Sequence, residues 1–321
     1  MSSTSTRVVT LARKVVEALD ICSFELVDVA GAALPSFSAG AHVDVHLPKG
    51  LVRQYSLCND PAETHRYLIA VLLDPASRGG SATMHALTEG QQIRISDPRN
   101  HFELADQVPH SLLVAGGIGV TPTLSMAERL ANIGASFEMH YCTRSRERTA
   151  FAERIAASAF AAQAHLHHDE GPAGRKFDAA AVIARAAPGT HLYVCGPTGF
   201  MDWVLSSARA VGWSEDRLHR EYFAAAPVDT HLDGAFDVLL ASTGQVIRVA
   251  ADQSVVAALA VCGIEVPTSC EQGVCGTCIT RVLDGEPLHR DMYLTPQEQA
   301  RCDQFTPCCS RSKSARLVLD L

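Results

Sequence analysis

Four cysteines in the last third of the chain have the type and spacing to hold two iron atoms. Cys270, Cys275 and Cys278 form a C-x4-C-x2-C run, and 29 residues separate Cys278 from Cys308. This is the ligand spacing of a [2Fe–2S] cluster of the plant type. Such a cluster takes two thiolates per iron, so one short loop must wrap three sulfurs without side-chain clashes. Gly273 and Gly276 lie inside that loop, and glycine reaches positive φ at no steric cost. Loop N–H groups also point at the sulfides and tune the potential. A zinc site more often pairs two short Cys or His motifs, and only one C-x2-C is present. A disulfide framework belongs to small secreted chains. Cys309, adjacent to Cys308, stays open as the alternative fourth ligand, while Cys262 and Cys302 read as packed thiols.

Four further segments suit nucleotide-type cofactors. In Arg53-Gln54-Tyr55-Ser56-Leu57, strand alternation puts Arg53, Tyr55 and Leu57 on one face and Gln54 and Ser56 on the other. An arginine pairs bidentately with phosphate, an aromatic lies along a flat ring, and a serine hydroxyl reaches a ring nitrogen. Ser77-Arg78-Gly79-Gly80-Ser81 precedes a helical segment, whose first N–H groups favour phosphate. In Ala115-Gly116-Gly117-Ile118-Gly119-Val120-Thr121-Pro122 the glycines let the backbone approach a pyrophosphate. There Thr121 is placed to cap the following helix and Pro122 to take its first position. Pro122 stands where the third glycine of G-x-G-x-x-G would be, so the dinucleotide fingerprint is incomplete. Cys195-Gly196-Pro197-Thr198-Gly199 ends a later strand, at the sheet edge where open α/β folds bind ligands. Each segment alone also reads as an ordinary strand face or tight turn.

The elements that must position these residues fall into three groups. Segments 7–19, 22–29, 42–47, 52–58, 66–73 and 91–95 are strand-like, separated by turn formers, with one helical segment at 81–87. That pattern predicts a closed antiparallel barrel. From 107 to 226 strands at 111–115, 136–143, 164–168 and 191–195 alternate with helices at 121–132, 148–160, 178–185 and 199–211. Such alternation predicts a parallel sheet with crossover helices. Residues 219–223 close this domain, and 224–234 read as a linker. Beyond it the pattern predicts a hairpin about Thr243-Gly244, a helix over 254–262 capped by Ser254, the cysteine loop, a strand at 279–283 and a last strand at 315–321. A small β-rich domain with one helix ahead of its cluster loop is a β-grasp arrangement. The fold class is therefore multidomain, with boundaries at 1–106, 107–226, a 227–234 linker and 235–321.

Composition narrows the function classes. Lys and Arg total 27 against 35 Asp and Glu, a net charge of −8 without a basic run, which argues against nucleic acid. No apolar stretch has the length of a membrane span, and residues 1–6 are polar, so a cytoplasmic location is expected. Of the 11 cysteines, four precede residue 226 and seven follow it. The histidines show no H-E-x-x-H or paired-ligand spacing, and His165, His167 and His168 read as a surface strand.

In this order, the motifs resemble the phthalate dioxygenase reductase family over essentially the whole chain. The resemblance rests on Arg53-x-Tyr55-Ser56-Leu57, Gly79-Gly80-Ser81, Asn100-His101-Phe102, Gly116 to Pro122, Cys195-Gly196-Pro197, Glu221-x-Phe223 and the cluster cysteines. It implies an FMN-binding barrel, an NAD-binding α/β domain and a C-terminal plant-type ferredoxin domain. Arg53, Gln54, Tyr55 and Ser56 would contact the flavin, and Gly79, Gly80 and Ser81 its phosphate. Gly117, Gly119 and Thr121 would line the pyridine-nucleotide site, with Cys195 near the nicotinamide and Phe223 over the flavin ring. Cys195, Phe223 and Ser56 are thus the expected catalytic residues.

The resemblance also implies an activity: NADH-dependent transfer through FMN and the [2Fe–2S] cluster to a terminal Rieske-type oxygenase acting on an aromatic acid such as phthalate or vanillate. A cytochrome P450, a diiron hydroxylase or an amine-oxidising Rieske oxygenase is the alternative acceptor. Placement of the ferredoxin domain last, rather than first, favours the Rieske partner. FMN over FAD rests on the resemblance alone, as does NADH over NADPH, since Arg144 and Arg146 follow the second strand of the α/β domain. A monomer is expected.

Overall fold

The computed structural model describes residues 6–223 and 234–321, apart from 76, 78, 106 and 171–175. Arg78 and nearly all of the expected linker therefore lie outside the described residues. The chain divides into two compact units, Met1–Glu221 and Tyr222–Leu321.

The first unit opens with a barrel of β1 (Thr6–Ala18), β2 (Ile21–Asp28), β3 (Ala41–His46), β4 (Val52–Ser56), β5 (Tyr67–Leu72) and β6 (Gln92–Ser96). Their order is β4-β3-β6-β1-β2-β5, and an antiparallel bridge from Leu57 to Ile69 joins the two ends. A two-residue strand, β7 (Arg99–Asn100), adds to β3. Alternating apolar residues fill the interior, among them Val9, Leu11, Phe24, Val43, Val45 and Ile95. Helix α1 (Gly80–Ala86) follows Gly79, whose φ of 92° turns the chain into its first turn.

The same unit holds five parallel strands in the order β10-β9-β8-β11-β12. They are β8 (Ser111–Gly116), β9 (Phe137–Thr143), β10 (Ala164–His168), β11 (His191–Cys195) and β12 (Leu218–Glu221). The crossovers carry α2 (Val120–Asn132), α3 (Ala152–Ala156), α4 (Ala179–Arg185) and α5 (Thr198–Ala210). β8 is apolar and fully buried, as a central parallel strand must be. Strand order reverses at β8 and β11, the switch point where such sheets bind ligands. Ile21, Ala39, Cys58 and Phe102 of the barrel share one core with Leu113, Val120, Leu124 and Tyr193 of the sheet. That shared core fixes the end of β4 against the ends of β11 and β12.

Two expectations need correction. Helix α3 is five residues long, not the thirteen of 148–160. Hydroxyls of Thr143 and Thr149 both bond the Ser145 carbonyl, drawing the preceding turn into a 3-10 geometry, and Phe151 has φ 60°. Thr121 does not cap α2: a 3-10 turn at Gly117–Gly119 starts the helix early, and Thr121 donates to the Ile118 carbonyl at 3.0 Å. For the same reason Pro122 is the third helical residue rather than the first. β10 is an edge strand, as expected, with His165 exposed and His167 and His168 half-buried. His140 is buried, stacks on His165 and His167, and places Nδ1 2.9 Å from His167 Nε2.

The second unit is a mixed sheet of order β14-β13-β19-β15-β17. Its strands are β13 (Phe236–Leu240), β14 (Val246–Val249), β15 (Thr280–Asp284), β17 (Gln304–Phe305) and β19 (Arg316–Leu319). A short ladder of β16 (Pro287–Leu288) and β18 (Arg311–Ser312) flanks it. Helix α6 (Val255–Val261) is capped as expected, with Ala257 N–H donating to Ser254 Oγ at 3.1 Å. Helix α7 (Pro296–Arg301) begins with a Thr295–Glu298 capping box. Strands β13 and β19 pair in parallel while β15 and β19 are antiparallel, and α6 packs its Val255, Ala258 and Leu259 into the core. This is the β-grasp arrangement.

Candidate functional site

In the first unit three strand ends converge. Ser56 ends β4, Cys195 ends β11 and Glu221 ends β12. Cys195 and Glu221 are register partners, so both side chains share one face of the sheet. Ser56 Oγ, on the barrel, donates to Glu221 Oε2 at 3.3 Å across 165 residues of chain. Ser56 and Cys195 are buried and Glu221 is half-buried. Loss of hydration pushes the Glu221 carboxyl up to about 8, partly opposed by the Ser56 hydrogen bond. Burial, and next to it the Glu221 charge, raises the Cys195 thiol well above its ordinary range. Cys195 is thus a neutral, compact thiol beside the junction, unsuited to nucleophilic chemistry.

A stability consequence follows from Glu221. Its folded pKa lies above the unfolded one, so the native chain binds that proton more tightly. The associated stability is present at pH below the ordinary carboxyl value and is lost as pH rises through about 8. Glu221→Gln should therefore flatten the fall in Tm between pH 5 and 8. At pH 8 it should leave the variant more stable than the parent by on the order of 1–3 kcal/mol, measured by thermal melts. An identical pH profile for both proteins would show that Glu221 is not held protonated.

The turns beside this junction are built by close backbone approach. A Cβ at Gly119 would stand 2.2 Å from the Cys195 carbonyl oxygen, so only glycine lets the β8–α2 turn rest on the end of β11. Gly117 has φ 54°, and Thr121 is buried beneath the turn. On the barrel, the Arg53 side chain lies across Gly80 at the start of α1, where a Cβ would meet Arg53 Nε at 2.7 Å. The Arg53 guanidinium itself donates to the Val52 carbonyl at 2.8 Å. Ser81 Oγ accepts from Asp74 N–H at 3.1 Å. Tyr55 is half-buried against the barrel core, and desolvation raises its phenol to about 12. Gln54 is committed to the barrel face, 3.1 Å from both Asp44 Oδ1 and His42 Nε2. Phe223 falls in the second unit and is 40% exposed.

The second unit brings the four predicted cysteines together as two pairs. Cys270 is hydrogen-bonded to Cys275, and Cys308 to Cys278. Among the described residues no three His, Cys, Asp or Glu side chains surround a single metal position. Two pairs of thiols, however, match a cluster that takes two ligands per iron. In each pair one partner supports the other's thiolate, holding Cys275 at about 5 and Cys278 below its ordinary range. Gln272 N–H donates to Cys270 Sγ at 3.4 Å, the loop-to-sulfur contact expected around a cluster. Cys309 is also hydrogen-bonded to Cys308; its Sγ lies over Gly273, 2.4 Å from where a Cβ would stand, and 3.3 Å from Thr306 Oγ1. The donor set and the glycine-lined loop fit a [2Fe–2S] cluster.

Gly273 combines φ +71° with that contact. Gly273→Ala should cost about 1–2 kcal/mol in backbone strain alone and displace the loop from Cys309. Iron content after purification should fall with little change in the far-ultraviolet spectrum. A variant with full iron content would mean the loop tolerates the shift.

A family model for the 2Fe-2S iron-sulfur cluster binding domain matches residues 238–313. A second, described as the N-terminal domain of dimethylamine monooxygenase subunit DmmA-like proteins, matches 91–218. A vanillate O-demethylase oxidoreductase of Pseudomonas putida is 62% identical over 95% of this chain and 96% of its own. A solved phthalate dioxygenase reductase, described as a modular structure for electron transfer from pyridine nucleotides to [2Fe-2S], is 40% identical. It covers 99% of this chain and 98% of its own with a TM-score of 0.77. The chain belongs to the phthalate dioxygenase reductase family. It is an oxidoreductase with a barrel, a parallel-sheet nucleotide domain and a [2Fe–2S] ferredoxin domain. An intact self-sufficient cytochrome P450 monooxygenase is also similar, at 38% identity and TM-score 0.85, covering 98% of this chain but 41% of the P450 chain. A C-terminal ferredoxin domain therefore does not by itself select a Rieske partner over a P450.

Two residues of this family member carry little or no site signal in the sequence. Glu221 is visible only as part of a motif, because its Ser56 partner is remote in sequence. Asp291 gives no signal at all. Its fully buried carboxylate accepts from Leu294 N–H at 2.7 Å and Ser310 Oγ at 3.4 Å, tying the loop under Gly273 to the strand after Cys308. No helix of the described chain is long and apolar enough to cross a membrane.

Proposed function

We propose that the chain is the NADH-dependent reductase component of a two-component Rieske oxygenase, passing electrons from NADH by way of FMN and the [2Fe–2S] cluster to an oxygenase that acts on an aromatic acid of the vanillate type. The observation that carries this reading is the convergence of Ser56, Cys195 and Glu221, which sets a barrel edge against the switch point of a nucleotide sheet. The vanillate preference draws on the 62% identical relative. FMN supplies the exchange between two-electron hydride chemistry and one-electron transfer, and the cluster carries electrons singly.

The chain's own residues bind, orient and manage a proton. Arg53 and the start of α1, with Gly79, Gly80 and Ser81, hold the flavin phosphate. Tyr55 bounds the ring. Gly117, Gly119 and Thr121 hold the pyridine nucleotide, and Cys195 gives its ring an uncharged neighbour. Glu221, protonated up to about pH 8, holds a proton one hydrogen bond from Ser56 Oγ. Cys270, Cys275, Cys278 and Cys308 are the cluster ligands. The domains run 1–106, 107–226 and 235–321 about a 227–234 linker. All 11 cysteines are free, which suits a cytoplasmic monomer in a reducing compartment.

The test is reconstitution. With a vanillate-type Rieske oxygenase, NADH should drive demethylation of vanillate; with a P450 or a diiron hydroxylase it should not. Product formation only with a P450 would overturn the assignment of the partner.

A further inference from the structure

The turn after β9 carries three arginines with different fates. Arg148 is committed, its Nη1 reaching Asp20 Oδ2 at 3.3 Å. Arg144 and Arg146 are exposed and make no side-chain hydrogen bond or ion pair among the described residues. The backbone that carries them is nevertheless held in one geometry. Asp169 and Glu170 N–H groups donate to the Thr143 and Arg144 carbonyls at 3.0 and 2.9 Å. The Ser145 carbonyl accepts from the Thr143 and Thr149 hydroxyls and from Arg148 N–H. Two uncommitted guanidinium groups thus stand on a fixed turn.

Its place in the sheet gives the turn a task. Cys142, one residue before the end of β9, is in register with Gly116 at the end of β8. The arginines therefore leave the sheet at the same edge as the 116–119 turn, one strand over. At the second strand of an open nucleotide sheet the adenosine ribose is read: a carboxylate takes a 2′-hydroxyl, and an arginine accommodates a 2′-phosphate. The carboxylates at this edge are Glu147, Asp169 and Glu170, with His168 the other titratable group. None of their side chains is bonded to either guanidinium among the described residues.

We propose that Arg144 and Arg146 form a 2′-phosphate subsite, so that the chain takes NADPH as well as NADH. The inference rests on the reading of the 116–119 turn as the pyridine-nucleotide site. Two planar guanidinium forks can each make paired charge-assisted bonds to phosphate oxygens.

The experiment compares adenosine 2′,5′-bisphosphate with 5′-AMP by calorimetry on the full-length, flavin-loaded protein. The bisphosphate should bind about tenfold tighter, the value of one charge-assisted contact. In the Arg144→Gln, Arg146→Gln double variant that advantage should vanish, and the ratio of kcat/KM for NADPH to that for NADH should fall by the same factor. Equal binding of the two ligands to the parent protein would overturn the subsite. An advantage that survives in the double variant would overturn its assignment to these arginines. No binding of 5′-AMP, the bisphosphate or NADH would overturn the nucleotide site itself, and the subsite with it.

Discussion

Replacing Cys275 by serine should empty the cluster site while leaving the flavin half of the protein intact. Cys275 is 4% exposed, lies against Cys270 and contacts Thr277 Oγ1 at 3.2 Å. A serine hydroxyl fits that space but ionises poorly and binds iron weakly. Electron delivery to the oxygenase should fall at least about 100-fold, since loss of mere supporting contacts around a metal already costs 10–100-fold. The flavin band and its bleaching by NADH should persist, because Ser56, Cys195 and Glu221 belong to the other compact unit. Cys262→Ser is the control: that cysteine is exposed, outside the ligand set, and its loss should leave the spectrum unchanged. Full iron content in the Cys275→Ser protein would remove Cys275 from the ligand set.

A second large effect is expected at Gly119. An alanine there places its Cβ 2.2 Å from Cys195 O and 2.4 Å from Cys195 C, both main-chain atoms that cannot rotate away. The β8–α2 turn and the end of β11 must separate. Overpacking of this kind costs about 1–3 kcal/mol, visible as a lower Tm. The two edges that must grip the dinucleotide also lose their spacing, and a displacement near 1 Å can cost about 100-fold in rate. We expect a fall of that order in kcat/KM for NADH, with the flavin still bound through Arg53 and α1. Unchanged NADH kinetics would mean that the nucleotide site does not lie between these turns.

Much of this architecture is legible in the amino-acid sequence alone. The cysteine spacing is a local signal, and the four thiols it singles out do pair in the fold. Strand–turn–helix logic locates the Gly116–Gly119 and Cys195–Pro197 turns, because apolar runs and glycines sit next to one another in sequence. Alternation along β4 holds too: Gln54 bonds Asp44, its register partner on β3. What stays hidden depends on contacts distant in sequence or on local competition. Glu221 acquires its meaning from Ser56, which no spacing rule connects. The fifth strand β12 is four residues long and reads in sequence only as the closing segment of a domain. The helix expected over 148–160 is cut at both ends, by Phe151 at φ 60° and by the Ser158 hydroxyl, which takes the Ile155 carbonyl at 2.7 Å, and periodicity registers neither. Asp291 is a buried carboxylate in an otherwise ordinary loop, and its role exists only once the chain is folded.

The most direct test of the electron path is an anaerobic titration with NADH, followed in the visible spectrum, with the flavin then released and identified by chromatography. Flavin and iron–sulfur bands should bleach together, and the released flavin should be FMN. Intact, iron-replete protein showing a flavin band alone would contradict that path, leaving a flavin reductase whose cysteine loop holds no cluster.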